Sequence, residues 1–133
     1  RVVVTDVTPE RGEAFARSLR DAGLEATYRG LDVASEAAWK ELREHVLGEF
    51  GAPLVLVNNA GIDVVKDSFA TTADEWDHLF AVNVKGMWLG SRAFARDLHA
   101  EAERRGRHAS IVNMSSICGR IGVAFQTAYC ATK

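Results

Sequence analysis

Short apolar runs alternate with longer amphipathic stretches along this chain. Val2-Val3-Val4 opens it, Leu54-Val55-Leu56-Val57 sits near the middle, and Ile111-Val112-Asn113-Met114 lies close to the end. Continuous apolar runs of this length suit parallel strands covered on both faces. Strands are predicted near residues 1–6, 25–31, 53–58 and 109–115. The intervening segments carry helix punctuation. Thr8 is placed as an N-cap, Pro9 suits the first helical position, and Gly23 closes the helix. A second helix is predicted from Ser35 as its cap to Phe50, with Gly51 after it. A third starts at Thr72, whose partner Glu75 completes a capping box, and runs to about Arg104.

The resulting order is strand, helix, strand, helix, strand, long helix, strand, helix. It predicts an α/β fold with a doubly wound, mostly parallel sheet and helices on both faces, a three-layer αβα arrangement of Rossmann-like type. The 133 residues suit one domain, and no repeat, low-complexity segment or internal boundary interrupts them.

Composition narrows the function classes. With 47% hydrophobic and 26% charged residues the chain reads as an ordinary globular domain, and its net charge of −2 gives no general attraction to nucleic acid or anionic membranes. The basic turn Arg104-Arg105-Gly106-Arg107-His108 is too short for a nucleic-acid patch. No apolar stretch approaches the roughly 20 residues needed to span a bilayer. Two cysteines, Cys118 and Cys130, are too few for a disulfide framework and point to reduced thiols in a cytoplasmic protein. His45, His78, His99 and His108 are scattered without ligand spacing, so no metal is expected. Ser115 and Ser116 lack the nucleophile-elbow context of an acyl-transfer hydrolase. A phosphate-dependent response domain would need an acidic cluster at its strand ends, and Asp6 and Asp32 do not supply one.

The chemistry gathers at the end of the chain. Thirteen residues separate Ser116 from Tyr129, and four separate Tyr129 from Lys133. On a helix, the four-residue step puts phenol and ammonium on one face. A phenol titrating near pH 10 is a poor base at neutral pH, and a nearby cation favours its ionised form. Taken alone, Tyr-x-x-x-Lys is better served by a helix with a buried tyrosine and a solvated lysine. Two other features change the weighting. Asn58-Asn59-Ala60-Gly61 forms a turn of small and amide residues at a strand's carboxyl end. Asn83 lies mid-helix, where propensity argues against it.

With Ser116, Tyr129 and Lys133 in that order, the chain resembles the short-chain dehydrogenase/reductase family over essentially all its residues. The resemblance implies hydride transfer between a nicotinamide dinucleotide and a secondary alcohol or ketone. Tyr129 would be the general acid/base and Ser116 would donate to the substrate oxygen. Lys133 would assist Tyr129 and hold the nicotinamide ribose, and Asn83 would hold a water linking Lys133 to solvent. It further implies that Asp32 and Val33 meet the adenine ring, and that the turn holding Asn58, Ala60 and Gly61 lines the cofactor and steadies the central sheet. Asp6, ending the first strand, is expected to accept from an adenosine ribose hydroxyl. No arginine follows it to receive a 2′-phosphate, so NAD is favoured over NADP.

Ile117, Gly119, Ile121, Phe125 and the Ile62-Asp63-Val64-Val65 loop suggest a mostly apolar substrate pocket. Gly86 and Gly90 on the third helix call for a packing reason, and the family's use of this helix suggests a homotetramer or homodimer. The resemblance also implies a further strand with a glycine-rich turn before Arg1 and more chain after Lys133, making this an internal fragment that would not fold alone. In the strand order 3-2-1-4-5, that arrangement leaves two strand pairs with unpaired inner edges. The competing expectation is a non-catalytic dinucleotide-binding or regulatory member of the same fold.

Overall fold

The computed structural model describes residues 1–133. Four strands, β1 (Val2–Asp6), β2 (Ala26–Gly30), β3 (Val55–Asn58) and β4 (Ser110–Asn113), alternate with helices α1 (Pro9–Asp21), α2 (Glu36–Phe50), α3 (Ala73–Phe80), α4 (Gly86–Arg105) and α5 (Thr127–Thr132). The strands form two separate parallel pairs, as the strand order anticipates. β1 pairs with β2 from Val2↔Ala26 to Asp6↔Gly30, and β3 pairs with β4 from Val55↔Ser110 to Asn58↔Asn113. Both pairs end in register, so Asp6, Gly30, Asn58 and Asn113 mark the carboxyl edge where the loops gather.

Helix ends follow their local chemistry with one exception. Ser35 Oγ accepts from the Ala38 amide at 3.2 Å, and Gly51 leaves α2 at a φ of +78°. Thr72 and Glu75 close a reciprocal capping box, which Lys66 joins by donating to Glu75 at 2.7 Å. Those bonds, the Lys66 ammonium first and the Thr72 amide next, lower the Glu75 carboxyl from 4.5 to about 2. The exception is Thr8, whose side chain caps nothing. Asp6 Oδ1 accepts from the amide of Thr8 itself at 2.8 Å, just ahead of the helix. This Asx turn leads the chain from β1 into α1, whose first-turn amides receive no side-chain cap.

α1 lies on the first pair so closely that a Cβ on Gly12 would meet the Tyr28 ring at 2.1 Å. The hydrophobic core lies between α2, α4 and the second pair, built from Leu31, Trp39, Leu42, Val46, Leu89, Phe94 and Leu98, with Leu56 packed against it. Trp39 meets Phe94 edge-on at 6.4 Å, and Arg43 forks onto Asp97 through bonds of 2.6 and 2.8 Å. Val55 and Val57 leave more than half their surface exposed, so one face of β3 is uncovered in this chain.

The third predicted helix is not one regular element. Residues Ala81–Lys85 open into a π turn in which the Gly86 amide reaches back to Ala81 O. Asn83 sits within it, fully buried. Short π segments break the i→i+4 ladder and occur frequently at functional sites. The two glycines that follow are also accounted for. A Cβ on Gly86 would lie 2.9 Å from Val33 Cγ2, and one on Gly90 would lie 2.5 Å from Asn58 Oδ1 and 2.7 Å from Trp39. Both therefore serve packing within the chain.

Candidate functional site

Three stretches converge at the carboxyl edge of β3 and β4: the loop after β3, the turn after β4, and α5. Asn83 joins the first to the last. Its Oδ1 accepts from the Ile62 amide at 2.8 Å, while its Nδ2 donates to Ile62 O at 2.8 Å and to Thr132 Oγ1 at 2.9 Å. Both amide protons and one lone pair are thereby engaged, leaving a single lone pair for anything further. Thr132 was not singled out from the sequence. Its place between Tyr129 and Lys133, on the buried side of α5, is what makes it the partner.

Lys133 follows the last turn of α5. Its Nζ donates to Met114 O at 3.1 Å and stands 5.6 Å from the centre of the Tyr129 ring. The four-residue step thus brings ammonium and phenol ring together as expected, close enough for cation–π attraction. Gly61 lies beside the same groups. A Cβ there would lie 3.3 Å from Lys133 Nζ and 3.5 Å from Asn83 Oδ1. Gly61 therefore keeps the approach to the ammonium open.

Ser116 begins the turn after β4. Its Oγ accepts from the Cys118 amide at 3.2 Å, which orients the oxygen and leaves its proton for an outside acceptor. Neighbouring Ser115 is committed elsewhere, donating to Lys133 O at 3.2 Å. Gly119, expected in the substrate pocket, packs beneath the helix end instead: a Cβ on it would fall 2.4 Å from Lys133 O.

Asn58 takes the sheet-steadying part expected of its turn. Its Nδ2 faces Met87 O at 3.3 Å, Ser91 Oγ at 3.1 Å and Asn113 Oδ1 at 2.8 Å, so the side chain runs under α4 and across to β4. It steadies the second strand pair and does not face the crevice. Its Oδ1 is buried without a partner. The exposed backbone of Asn59, Ala60 and Gly61 is what borders the crevice at this point.

The remaining predicted residues lie along the same edge. Asp6 holds the Thr8 amide with Oδ1, leaving Oδ2 available, and its backbone oxygen accepts from Tyr28 Oη at 2.9 Å. Asp32 is exposed and makes a second Asx turn, accepting from the Ala34 amide at 2.9 Å. Val33 O accepts from the Trp39 indole at 2.9 Å, and its side chain lies against Gly86. No group of three or more histidine, cysteine, aspartate or glutamate side chains is arranged to hold a metal ion. No helix is long and apolar enough to cross a membrane.

Comparison with known proteins agrees with this geometry. The family described as short chain dehydrogenase matches residues 1–133. A cyclopentanol dehydrogenase of Comamonas testosteroni is 36% identical over 132 residues, covering 99% of this chain and 51% of the relative. Among solved structures, a metagenomic short-chain oxidoreductase in complex with NADP superposes with a TM-score of 0.89 at 36% identity, covering 100% of this chain and 58% of its own. A short chain dehydrogenase/reductase from Burkholderia phymatum in complex with NAD gives a TM-score of 0.90 at 30% identity, covering 99% and 46%. The chain spans about half the length of the curated relatives it matches.

Proposed function

This chain belongs to the short-chain dehydrogenase family, and from that premise we propose that the whole protein oxidises secondary alcohols or reduces the matching ketones with a nicotinamide dinucleotide. The observation that carries this reading is the Lys133 ammonium, 5.6 Å from the Tyr129 ring and bonded to Met114 O, with an amide-oriented Ser116 hydroxyl two residues beyond Met114. The donor set suits a dinucleotide. An ammonium behind a glycine cradle fits ribose hydroxyls, and a carboxylate at the end of β1 fits those of the adenosine. When bound, that cofactor takes or gives the hydride.

The chain's own residues handle the proton and the geometry. In oxidation, Tyr129 Oη takes the alcohol proton as the carbon–hydrogen bond opens; in reduction, it returns a proton to the carbonyl oxygen. Ser116 Oγ, already accepting from Cys118, donates to that same oxygen, where negative charge develops. Lys133 retains two protons for the ribose beyond the one given to Met114 O. Asn83 holds the Gly61–Ile62 backbone against α5, and its free lone pair is where a water would join the path to solvent.

NAD is preferred over NADP in this reading, because the Asp6 carboxylate repels a 2′-phosphate and Val7, not arginine, follows it. Asp32 and Val33 border the adenine, and Ala60 and Gly61 the rest of the dinucleotide. A homotetramer or homodimer is proposed on a different footing from the glycines. Trp76, Phe80, Val84 and Trp88 recur every four residues along α3 and α4; Trp76 stacks on Phe80 at 5.0 Å and Trp88 leaves 55% of its surface exposed. Free thiols at Cys118 and Cys130 suit the reducing cytoplasm.

The test is turnover by the whole protein of cyclic and acyclic secondary alcohols with each dinucleotide, followed by absorbance of the reduced nicotinamide. Alcohol-dependent reduction supports the proposal. Tight dinucleotide binding with no turnover of any alcohol or ketone would favour the non-catalytic reading.

A further inference from the structure

Phe125 is the only residue other than glycine with a positive φ, at 63°. Such a conformation in a bulky residue persists only where its surroundings over-determine it. The surroundings are unusually well tied. Phe125 O accepts from the Lys66 amide at 2.8 Å, and the Ser68 and Thr127 hydroxyls meet at 2.5 Å. Between these two ties, Gln126 Nε2 donates to Asp63 Oδ2. The same amide's Oε1 faces Cys118 Sγ at 3.6 Å, where the thiol donates. Gln126 is also the residue from which α5 starts, its carbonyl accepting from the Cys130 amide at 2.8 Å.

One side chain therefore touches the loop after β3, the turn oriented by Ser116 and the start of the helix carrying Tyr129. α5 has only six residues, too few to hold its own direction without tertiary support. Its far end is pinned by Asn83 through Thr132. Its near end is pinned by Gln126. We infer that Gln126 and Asp63 form a clasp that fixes the start of α5, making Gln126 a positioning residue that sets the reach from the Tyr129 phenol to the oxygen held by Ser116. The catalytic consequence rests on the function proposed above; the clasp itself does not.

The polarity of the clasp can be inverted. Gln126→Glu sets two carboxylates against each other while leaving an oxygen for Cys118. Adding Asp63→Asn restores a donor and an acceptor with their places exchanged. In the whole protein, Gln126→Glu is expected to lower kcat about ten-fold or more while the KM for dinucleotide stays within about two-fold, since misplacement by about 1 Å is costly to catalysis. The double variant should recover most of that loss. Amide hydrogen exchange over residues 129–133 should quicken in the single variant and slow again in the double, whether or not turnover is observed. A single variant with unchanged kcat and unchanged exchange, or a double variant no better than the single in either readout, overturns the clasp. A wild type that turns over nothing overturns the dehydrogenase reading, and the exchange result still decides the clasp.

Discussion

Asn83 and Thr132, 49 residues apart, share a buried hydrogen bond of 2.9 Å that couples a π turn in one helix to the helix bearing Tyr129. The bond exists because the π turn rotates Asn83 inward, and because Thr132 Oγ1 is itself held, donating to Tyr129 O at 2.8 Å. The Asn83 amide also closes both polar groups of Ile62, beside the glycine that borders Lys133.

Asn83→Ala should therefore be costly. It leaves the Ile62 amide, the Ile62 carbonyl and one side of Thr132 without partners in a buried place, and an unsatisfied buried group costs roughly 1–3 kcal/mol. A loss of about 3 kcal/mol is expected in chemical denaturation of the whole protein. Thr132→Val, which keeps the volume but removes both the bond shared with Asn83 and the one given to Tyr129 O, should cost about 1–3 kcal/mol.

The glycines of α2 and α4 should respond in opposite directions. Gly90→Ala drives a methyl into Asn58 and Trp39 and should destabilise by about 1–3 kcal/mol. Gly48, inside α2, has nothing within 4 Å of the position a Cβ would take. Gly48→Ala should stabilise by about 1 kcal/mol through helix propensity alone. Thermal melts of the two variants side by side check both signs.

Acid should weaken the C-terminal end of α4. Glu101, buried, receives Arg104 through two bonds of 2.7 Å and Arg105 through a third. Arg104 first, and Arg105 after it, lower its carboxyl from 4.5 to about 2. A depressed folded value means the carboxylate's contribution is complete above the unfolded value and is lost as pH falls from 4.5 towards 2. Denaturation midpoints measured across that window should fall in the wild type. In Glu101→Gln the stability at neutral pH should be lower and the acid slope shallower.

Asp6 carries two roles that one substitution separates. Asp6→Asn keeps an oxygen for the Thr8 amide, so the entrance to α1 survives. It removes the charge that disfavours a 2′-phosphate. The ratio of kcat/KM for NADP to that for NAD should rise about ten-fold or more, with little change in stability, because the gain comes from losing a repulsion. An unchanged ratio would take cofactor choice away from this residue.

Most of the architecture is legible because each element carries its own local signal. The apolar run at Leu54–Val57 and the Ser35, Thr72 and Gly51 punctuation place β3, α2 and the start of α3 within a residue or two. Strand pairing follows from the alternation of elements. What stays hidden depends on which way a side chain turns once the elements meet. Thr8 looks like a cap, yet its side chain caps nothing and its own amide is held by Asp6. Asn58 sits in a motif read as cofactor-lining, but register with Asn113 and the proximity of α4 turn its amide inward. Gly86 and Gly90 advertise close packing without naming the neighbour. At the site, the Ser116, Tyr129 and Lys133 spacing is readable from the chain, whereas Thr132, Met114, Asp63 and Gln126 act through contacts that bridge at least nineteen residues or use backbone oxygen, for which no motif exists.

The proton-transfer assignment is the claim on which the activity depends. Its most direct test is Tyr129→Phe in the whole protein, with alcohol turnover and dinucleotide affinity measured on the same sample. Removing one oxygen should cut kcat by about a thousand-fold or more, the scale of general acid–base catalysis, while dinucleotide affinity stays within a few-fold. A phenylalanine variant that keeps its turnover would contradict the assignment.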